Sequence, residues 1–251
     1  SDKLMPMGII MIVKNITENI KLDNMRKEFV ADVSHELKTP LTSIKGYSET
    51  ILNGGLSQEE SERFIKVINN EANRMDRLVA DLLQLSRFDY QKNKFNVVKF
   101  NLDDLAKDVS EKMQYVASQK GHTLSCVVNM VPPPIYADKD AIEQVIINIV
   151  TNSIKYTPDG GEITIYVGSL NGKAYIKVVD NGIGIPEKDL KRIFERFYRV
   201  DKARSREMGG TGLGLSIVKE IIDKNKGTIE IKSEVGAGTE VIITLPTKLE
   251  R

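Results

Sequence analysis

EITIYVGSLNGKAYIKVVD, residues 162–180, is two runs of alternating apolar and polar residues divided by Asn171-Gly172. A period of two places alternate side chains on opposite faces of a strand, and Asn-Gly between such runs favours the tight turn of an antiparallel hairpin. The same alternation returns in GTIEIKSE (227–234) and TEVIITLP (239–246), and shorter strands are predicted in KFNVVKF (94–100) and TLSCVV (123–128). Between them lie amphipathic helical stretches, one opened by Asn101 and one running from Asp140. Mostly antiparallel strands with a few amphipathic helices define an α+β two-layer sandwich.

Upstream of about residue 93 the periodicity is helical. Met25, Phe29, Val33 and Leu37 recur every four residues, and Gly54-Gly55 end that stretch. Ser57 and Glu60 form a capping-box pattern, after which Ile68, Ala72, Met75, Val79 and Leu82 alternate steps of four and three towards Asp89. Two helices joined by a short loop make a hairpin that cannot cover both seams alone, so pairing with a second copy into a four-helix bundle is expected. Residues 7–14 predict a strand that feeds a helix with Thr17 as its N-cap.

Composition narrows the functions available. The 251 residues are 41% hydrophobic, enough for a substantial core, and 36 Lys+Arg against 35 Asp+Glu give a net charge of +1. No global field favours nucleic acid or an anionic membrane. One cysteine, Cys126, excludes an internal disulfide, and two histidines, His35 and His122, make a zinc site improbable. The longest apolar run, Met7–Val13, is too short to cross a membrane.

Three features of the C-terminal part point to a nucleotide. In AIEQVIINIVTNSIKYT (141–157), Gln144, Asn148, Asn152 and Lys155 fall on one polar stripe of an otherwise apolar helix. Amide oxygens are suitable donors to Mg²⁺, although they equally well bond neighbouring backbone. VVDNGIGIP (178–186) puts Asp180 at a strand end, where it can accept from an exocyclic amine, while Gly182 and Gly184 let the backbone approach a flat ring such as adenine. Pro186 opens EKDLKRIFERFY (187–198), whose Leu190, Ile193, Phe194 and Phe197 have helical spacing. GGTGLGLSIVKEII (209–222) sets Gly210, Gly212 and Gly214 before a helix start suited to polyphosphate; it is neither the dinucleotide fingerprint nor a P-loop. The intervening YRVDKARSREMGG (198–210) has the composition of a mobile lid.

In the N-terminal part, VSHELKTPLTS (33–43) stands out. His35 lies about 200° around the helix from both Val33 and Leu37, which directs it to solvent. Glu36 is expected to reach the Nδ1 side of the ring, leaving Nε2 nucleophilic, and Thr39 follows one turn later. Pro40 crowds the carbonyl of Glu36 and is expected to loosen the helix beside the histidine. His122 is read as a surface loop residue.

FVADVSHELKTPLTSIKGY (29–47) resembles the phosphoacceptor box of sensor histidine kinases, and the downstream motifs resemble the N, G1, F and G2 boxes of their GHKL-type ATP-binding domain. The resemblance spans about residues 22–246 and is greatest to the WalK type of cell-wall sensor, with the PhoR type next. It implies a dimeric helical-hairpin domain (23–92) followed by a two-layer GHKL sandwich (93–251). His35 would be phosphorylated on Nε2 by ATP, with Glu36 as acid/base partner and Thr39 orienting water for hydrolysis of a phospho-aspartate. Asn148 and Asn152 would be N-box residues, with Asn152 the Mg²⁺ ligand. Lys155, Tyr156 and Arg199 would meet the phosphates or sugar, and Asp180 with Gly182 and Gly184 the adenine. Gly210, Thr211, Gly212, Leu213 and Gly214 would form the phosphate loop. The implied partners are a second copy and the receiver domain of a response regulator, in the cytoplasmic portion of a membrane-anchored bacterial sensor, with no nucleic acid and no membrane contact by this segment. Residues 1–22 resemble the end of a PAS domain, although Asn15 stands where the usual D-x-T motif has Asp. Rival readings are a GHKL clamp ATPase and a nucleotide-sensing module without transfer; SHELKTP speaks against the first.

Overall fold

The computed structural model describes residues 15–90, 96–201 and 209–248. The expected strand at 7–14 and most of the lid segment lie outside them. Helix α1 (Thr17–Leu52) is continuous through Pro40. Thr17 is its first helical residue and not its N-cap; the cap position is Ile16, which has no side-chain cap, and just before it the Asn15 side-chain oxygen accepts from the Thr17 N–H at 3.0 Å. Gly54 and Gly55 have φ of 74° and 83°, values that end a right-handed helix. Helix α2 (Gln58–Tyr90) then starts on the capping box: Glu60 N–H donates to Ser57 Oγ at 3.2 Å, and Ser57 N–H donates to Glu60 Oε2 at 2.8 Å.

The C-terminal part contains β1 (Val97–Phe100), α3 (Leu102–Ser118), β2 (Thr123–Val128), β3 (Ile135–Asp138), α4 (Lys139–Tyr156), β4 (Glu162–Leu170) and β5 (Lys173–Asp180). There follow α5 (Glu187–Leu190), α6 (Gly214–Lys224), β6 (Thr228–Glu234) and β7 (Gly238–Leu245). A five-stranded sheet has the order β2-β4-β5-β7-β6, parallel only between β2 and β4. The β4–β5 hairpin closes on Asn171 and Gly172 with φ of 52° and 75°, both in the left-handed region that a tight two-residue turn requires. One face of the sheet, carrying Ile163, Ile165, Val167, Ile176 and Val178, is buried under α3, α4 and α6. This apolar layer fixes the ends of β5 and α4, and hence the side chains at those ends.

Four expectations are corrected. The predicted helix over 187–198 is a single turn, α5, followed by turns. Phe197 explains why: its φ of 62° is outside helical space, and its N–H donates to the Gly212 carbonyl at 2.9 Å instead of to a helical neighbour. Strand β3, unpredicted because Pro132–Pro134 precede it, pairs with β1 in a separate two-stranded sheet. Helix α4 is capped two residues before Asp140: Asp138 accepts from the Ala141 N–H at 3.1 Å. His122 is buried at 4% exposure, with Nε2 3.0 Å from the Pro158 carbonyl, and is not a surface residue.

The hairpin contacts the sandwich directly. On α2 the residues with least exposure are Arg74, Leu78 and Leu85, a face distinct from the predicted seam, where Ala72 and Val79 are exposed. Phe29 of α1 packs its ring against Phe197, centroids 6.1 Å apart.

Candidate functional site

Asp180 closes β5 with its carboxylate 9% exposed. Its Oδ2 accepts from Ser153 Oγ at 2.7 Å, and Oδ1 accepts from the Gly182 and Thr239 N–H groups at 3.0 and 3.1 Å. Burial raises its pKa and the three donors oppose the rise. A carboxylate offers about four acceptor positions. Three are used, which leaves one on Oδ2 for an amine. The backbone is close on both sides: a Cβ on Gly182 would lie 2.8 Å from Asp180 Oδ1, and one on Gly184, at φ 70°, would enter the Glu234 carbonyl.

The polar stripe of α4 leads from this carboxylate to the glycine loop. Gln144 donates to Asn148 Oδ1 at 3.1 Å, while Asn148 Nδ2 is buried with no hydrogen bond. Asn152, half-buried, makes no side-chain hydrogen bond among the described residues. Asn148 packs against Gly214 at the first turn of α6, whose leading N–H groups have no side-chain cap. An amide with an unused group beside a bare helix start fits a hydrated Mg²⁺–polyphosphate.

Lys155 stands with Nζ 5.3 Å from the Tyr156 ring centroid. Burial, and then the positive charges of Arg199, Arg77, Lys120 and Arg74, lower its pKa to about 8. A crowd of cations, one of them with its charge disfavoured, is a pocket suited to a polyanion. Gly212, at φ 77°, lies against the Phe197 backbone, where a Cβ would come within 2.9 Å of Cα. Gly210 precedes it in the loop, and Leu213 is fully buried.

His35 is exposed, as its spacing required, and its imidazole makes no hydrogen bond among the described residues. It lines a cleft of about 680 Å³ between α1 and the segment 192–200. Thr39, one turn on, donates to the His35 carbonyl at 3.2 Å.

Glu36 makes no hydrogen bond to the imidazole. Its Oε2 accepts from Arg74 Nη2 and from Arg199 Nη2, each at 2.9 Å, and both guanidinium groups are about 95% buried. Consecutive helical residues point about 100° apart, so Glu36 leaves the face of its neighbour and meets the sandwich. Arg199 also donates to the Thr211 carbonyl at 2.8 Å, and Thr211 Oγ1 donates to Asp81 Oδ2 at 2.6 Å. Thr211 and Arg199, expected to face nucleotide, are thus engaged by the hairpin. Arg74 and Asp81 were not singled out from sequence. Their only trace was a second 3-4 spacing on α2, Arg74, Leu78, Asp81 and Leu85, inside a stretch that otherwise looks like a solvated face.

Residues 25–91 match the His Kinase A (phospho-acceptor) domain, and residues 137–249 match the histidine kinase-, DNA gyrase B- and HSP90-like ATPase. The sensor histidine kinase WalK of Bacillus subtilis is 42% identical over 249 residues, covering 97% of this chain; the chain spans 40% of that relative's length. The solved histidine kinase ThkA, in complex with the response regulator protein TrrA, superposes with a TM-score of 0.72 at 26% identity over 94% of this chain and 68% of that one. Full-length ShkA in complex with AMPPNP gives 0.64 at 27% identity over 87% of this chain and 45% of that one. With a phosphoacceptor hairpin followed by a GHKL-type ATPase domain, the chain belongs to the sensor histidine kinases.

Proposed function

We propose that this chain is the core of an ATP-dependent protein-histidine kinase in which His35 is the phosphoacceptor. The observation that carries the reading is the His35 imidazole, exposed and without a hydrogen bond among the described residues, in a cleft whose opposite wall is bonded to the glycine loop through Phe197 to Gly212 and Arg199 to Thr211. Nε2 forms a bond to the γ-phosphorus of ATP as the bond to the bridging oxygen breaks, and ADP leaves. Asp180 accepts from the adenine amine, with Gly182 and Gly184 against the ring. Lys155, Tyr156 and the loop Gly210–Gly214 hold the phosphates and sugar, joined by Arg199 once it leaves Glu36. Asn152, beside Asn148, would ligate Mg²⁺, which when bound offsets charge on the leaving diphosphate.

In the arrangement described, Glu36 is held by two guanidinium groups and cannot serve the imidazole. Transfer therefore requires the sandwich to swing so that Arg199 is released towards the phosphates and Glu36 towards Nδ1. Thr39 must likewise rotate off the His35 carbonyl to orient water in phospho-regulator hydrolysis.

The phosphoryl group passes on to an aspartate of a response regulator receiver domain, a partner class supported by the ThkA–TrrA complex. Functionally we divide the chain into a hairpin (23–92) and an ATP-binding domain (93–251), with 1–22 as the end of a PAS-like domain. Val30, Leu41, Ile65 and Leu83, more than half exposed, supply apolar surface for a second copy in a homodimeric bundle. ATP places this segment in the cytoplasm, as part of a membrane-anchored sensor. Incubation with γ-labelled ATP and Mg²⁺ tests the activity: the label should be acid-labile and base-stable, and absent from His35→Gln, whereas acid-stable or persisting label refutes the reading.

A further inference from the structure

The face of α2 that meets the sandwich presents Arg74, Leu78, Asp81 and Leu85 at helical steps of four and three, with the exposed Arg77 at its edge. Arg74, Leu78 and Leu85 are buried, and Asp81 holds Thr211 of the glycine loop. Arg77 lies one turn before Asp81. Its guanidinium sits in the space beside Gly209 into which a Cβ would project, at the first residue of the loop. Among the described residues it makes no hydrogen bond or ion pair, unlike Arg74, which is shared between Glu36 and Glu71.

The surroundings indicate what Arg77 is for. Arg199, Arg77, Lys120 and Arg74 bring positive charge to the same end of the pocket as Lys155, and together with burial, the larger cause, they hold its ammonium below its ordinary pKa. The acidic groups against this cluster are Glu36, paired with Arg74 and Arg199, Glu71, paired with Arg74, and Asp81, which accepts from Thr211 and lies in the field of Arg77 without a direct ion pair. Five cations, Lys155, Arg199, Arg77, Lys120 and Arg74, against these three carboxylates leave an excess of positive charge, and the repulsion is relieved when an anion enters. Lys120 is turned to the Ile154 and Lys155 carbonyls. Arg77 is the guanidinium left facing the loop from outside the ATPase domain.

The geometry points to Arg77 as a phosphate-binding residue of the nucleotide site, reaching the terminal phosphates from the hairpin, so that ATP is held by both domains in the docked arrangement. This deepens the nucleotide reading above and rests on it. A planar fork with five donors suits a phosphate edge, and a hairpin residue at this place makes nucleotide affinity depend on docking.

Calorimetric titration of the chain with a non-hydrolysable ATP analogue, ADP and adenosine tests it. Arg77→Ala should weaken the triphosphate about tenfold, ADP less and adenosine not at all, as loss of a charge-assisted contact requires. Arg77→Lys should restore part of the loss. Unchanged triphosphate affinity, or an equal loss for all three ligands, overturns the assignment to Arg77 while leaving the nucleotide site intact. Failure of the unaltered chain to bind the triphosphate removes the nucleotide reading and this inference together.

Discussion

Lys155 ties the nucleotide pocket to pH. Its native pKa of about 8 lies below the ordinary 10.5, so between these values the unfolded chain binds more protons than the folded one and stability rises with pH. A bound polyphosphate favours the protonated amine, so affinity for an ATP analogue should fall as pH rises through about 8, and Lys155→Met should flatten that slope in a binding titration. Asp180→Asn turns an amide N–H towards donors that now face a carboxylate. The chain should lose about 1–3 kcal/mol in denaturant unfolding and bind the analogue at least about tenfold more weakly. Residue-level legibility divided along one line. The exposure of His35 follows from its own helix, and the position of Asp180 at a strand end follows from its own hairpin, so both were readable. The partners of Glu36 lie 38 and 163 residues away, and only the docked fold brings them to one oxygen. His122 was misread because a histidine after a glycine looks like a loop residue until the Pro158 carbonyl closes over it.

Among the elements, α2 presents more than one face. One carries the predicted seam and another, defined by Arg74, Leu78 and Leu85, meets the sandwich, so a single periodicity was visible where two overlap. The segment after Pro186 shows the opposite failure. Leu190, Ile193, Phe194 and Phe197 have helical spacing, yet only Glu187–Leu190 is helix, because Phe197 is tied to Gly212. The strands and the β4–β5 turn were legible because a period of two and Asn-Gly act locally. Gly184 offers a test of how tightly the adenine-side loop is set. At φ 70° and with the Glu234 carbonyl where a Cβ would go, Gly184→Ala should cost about 2–3 kcal/mol of stability and lower the melting temperature.

For the whole molecule, the contacts between hairpin and sandwich engage residues proposed for chemistry, Glu36 with Arg199 and Thr211 with Asp81, beside the packing of Phe29 on Phe197. On the proposed mechanism the docked state withholds Glu36 from His35, and phosphoryl transfer requires its release. Glu36→Gln removes the charge that Arg74 and Arg199 share and leaves Arg74 with Glu71 alone, which is unfavourable in a part-buried interface. Hydrogen exchange should then quicken at least several-fold around Phe29, Leu78 and Phe197, while the β4–β5 hairpin keeps its protection. The central claim, that the exposed imidazole takes the phosphoryl group, is tested most directly by mapping the modified residue. After incubation with ATP and Mg²⁺, peptides prepared at neutral to basic pH and sequenced by mass spectrometry should carry one phosphoryl group, on His35. A phosphoryl group on a serine, threonine or aspartate, or an unmodified His35 in a chain that binds ATP, would contradict the account.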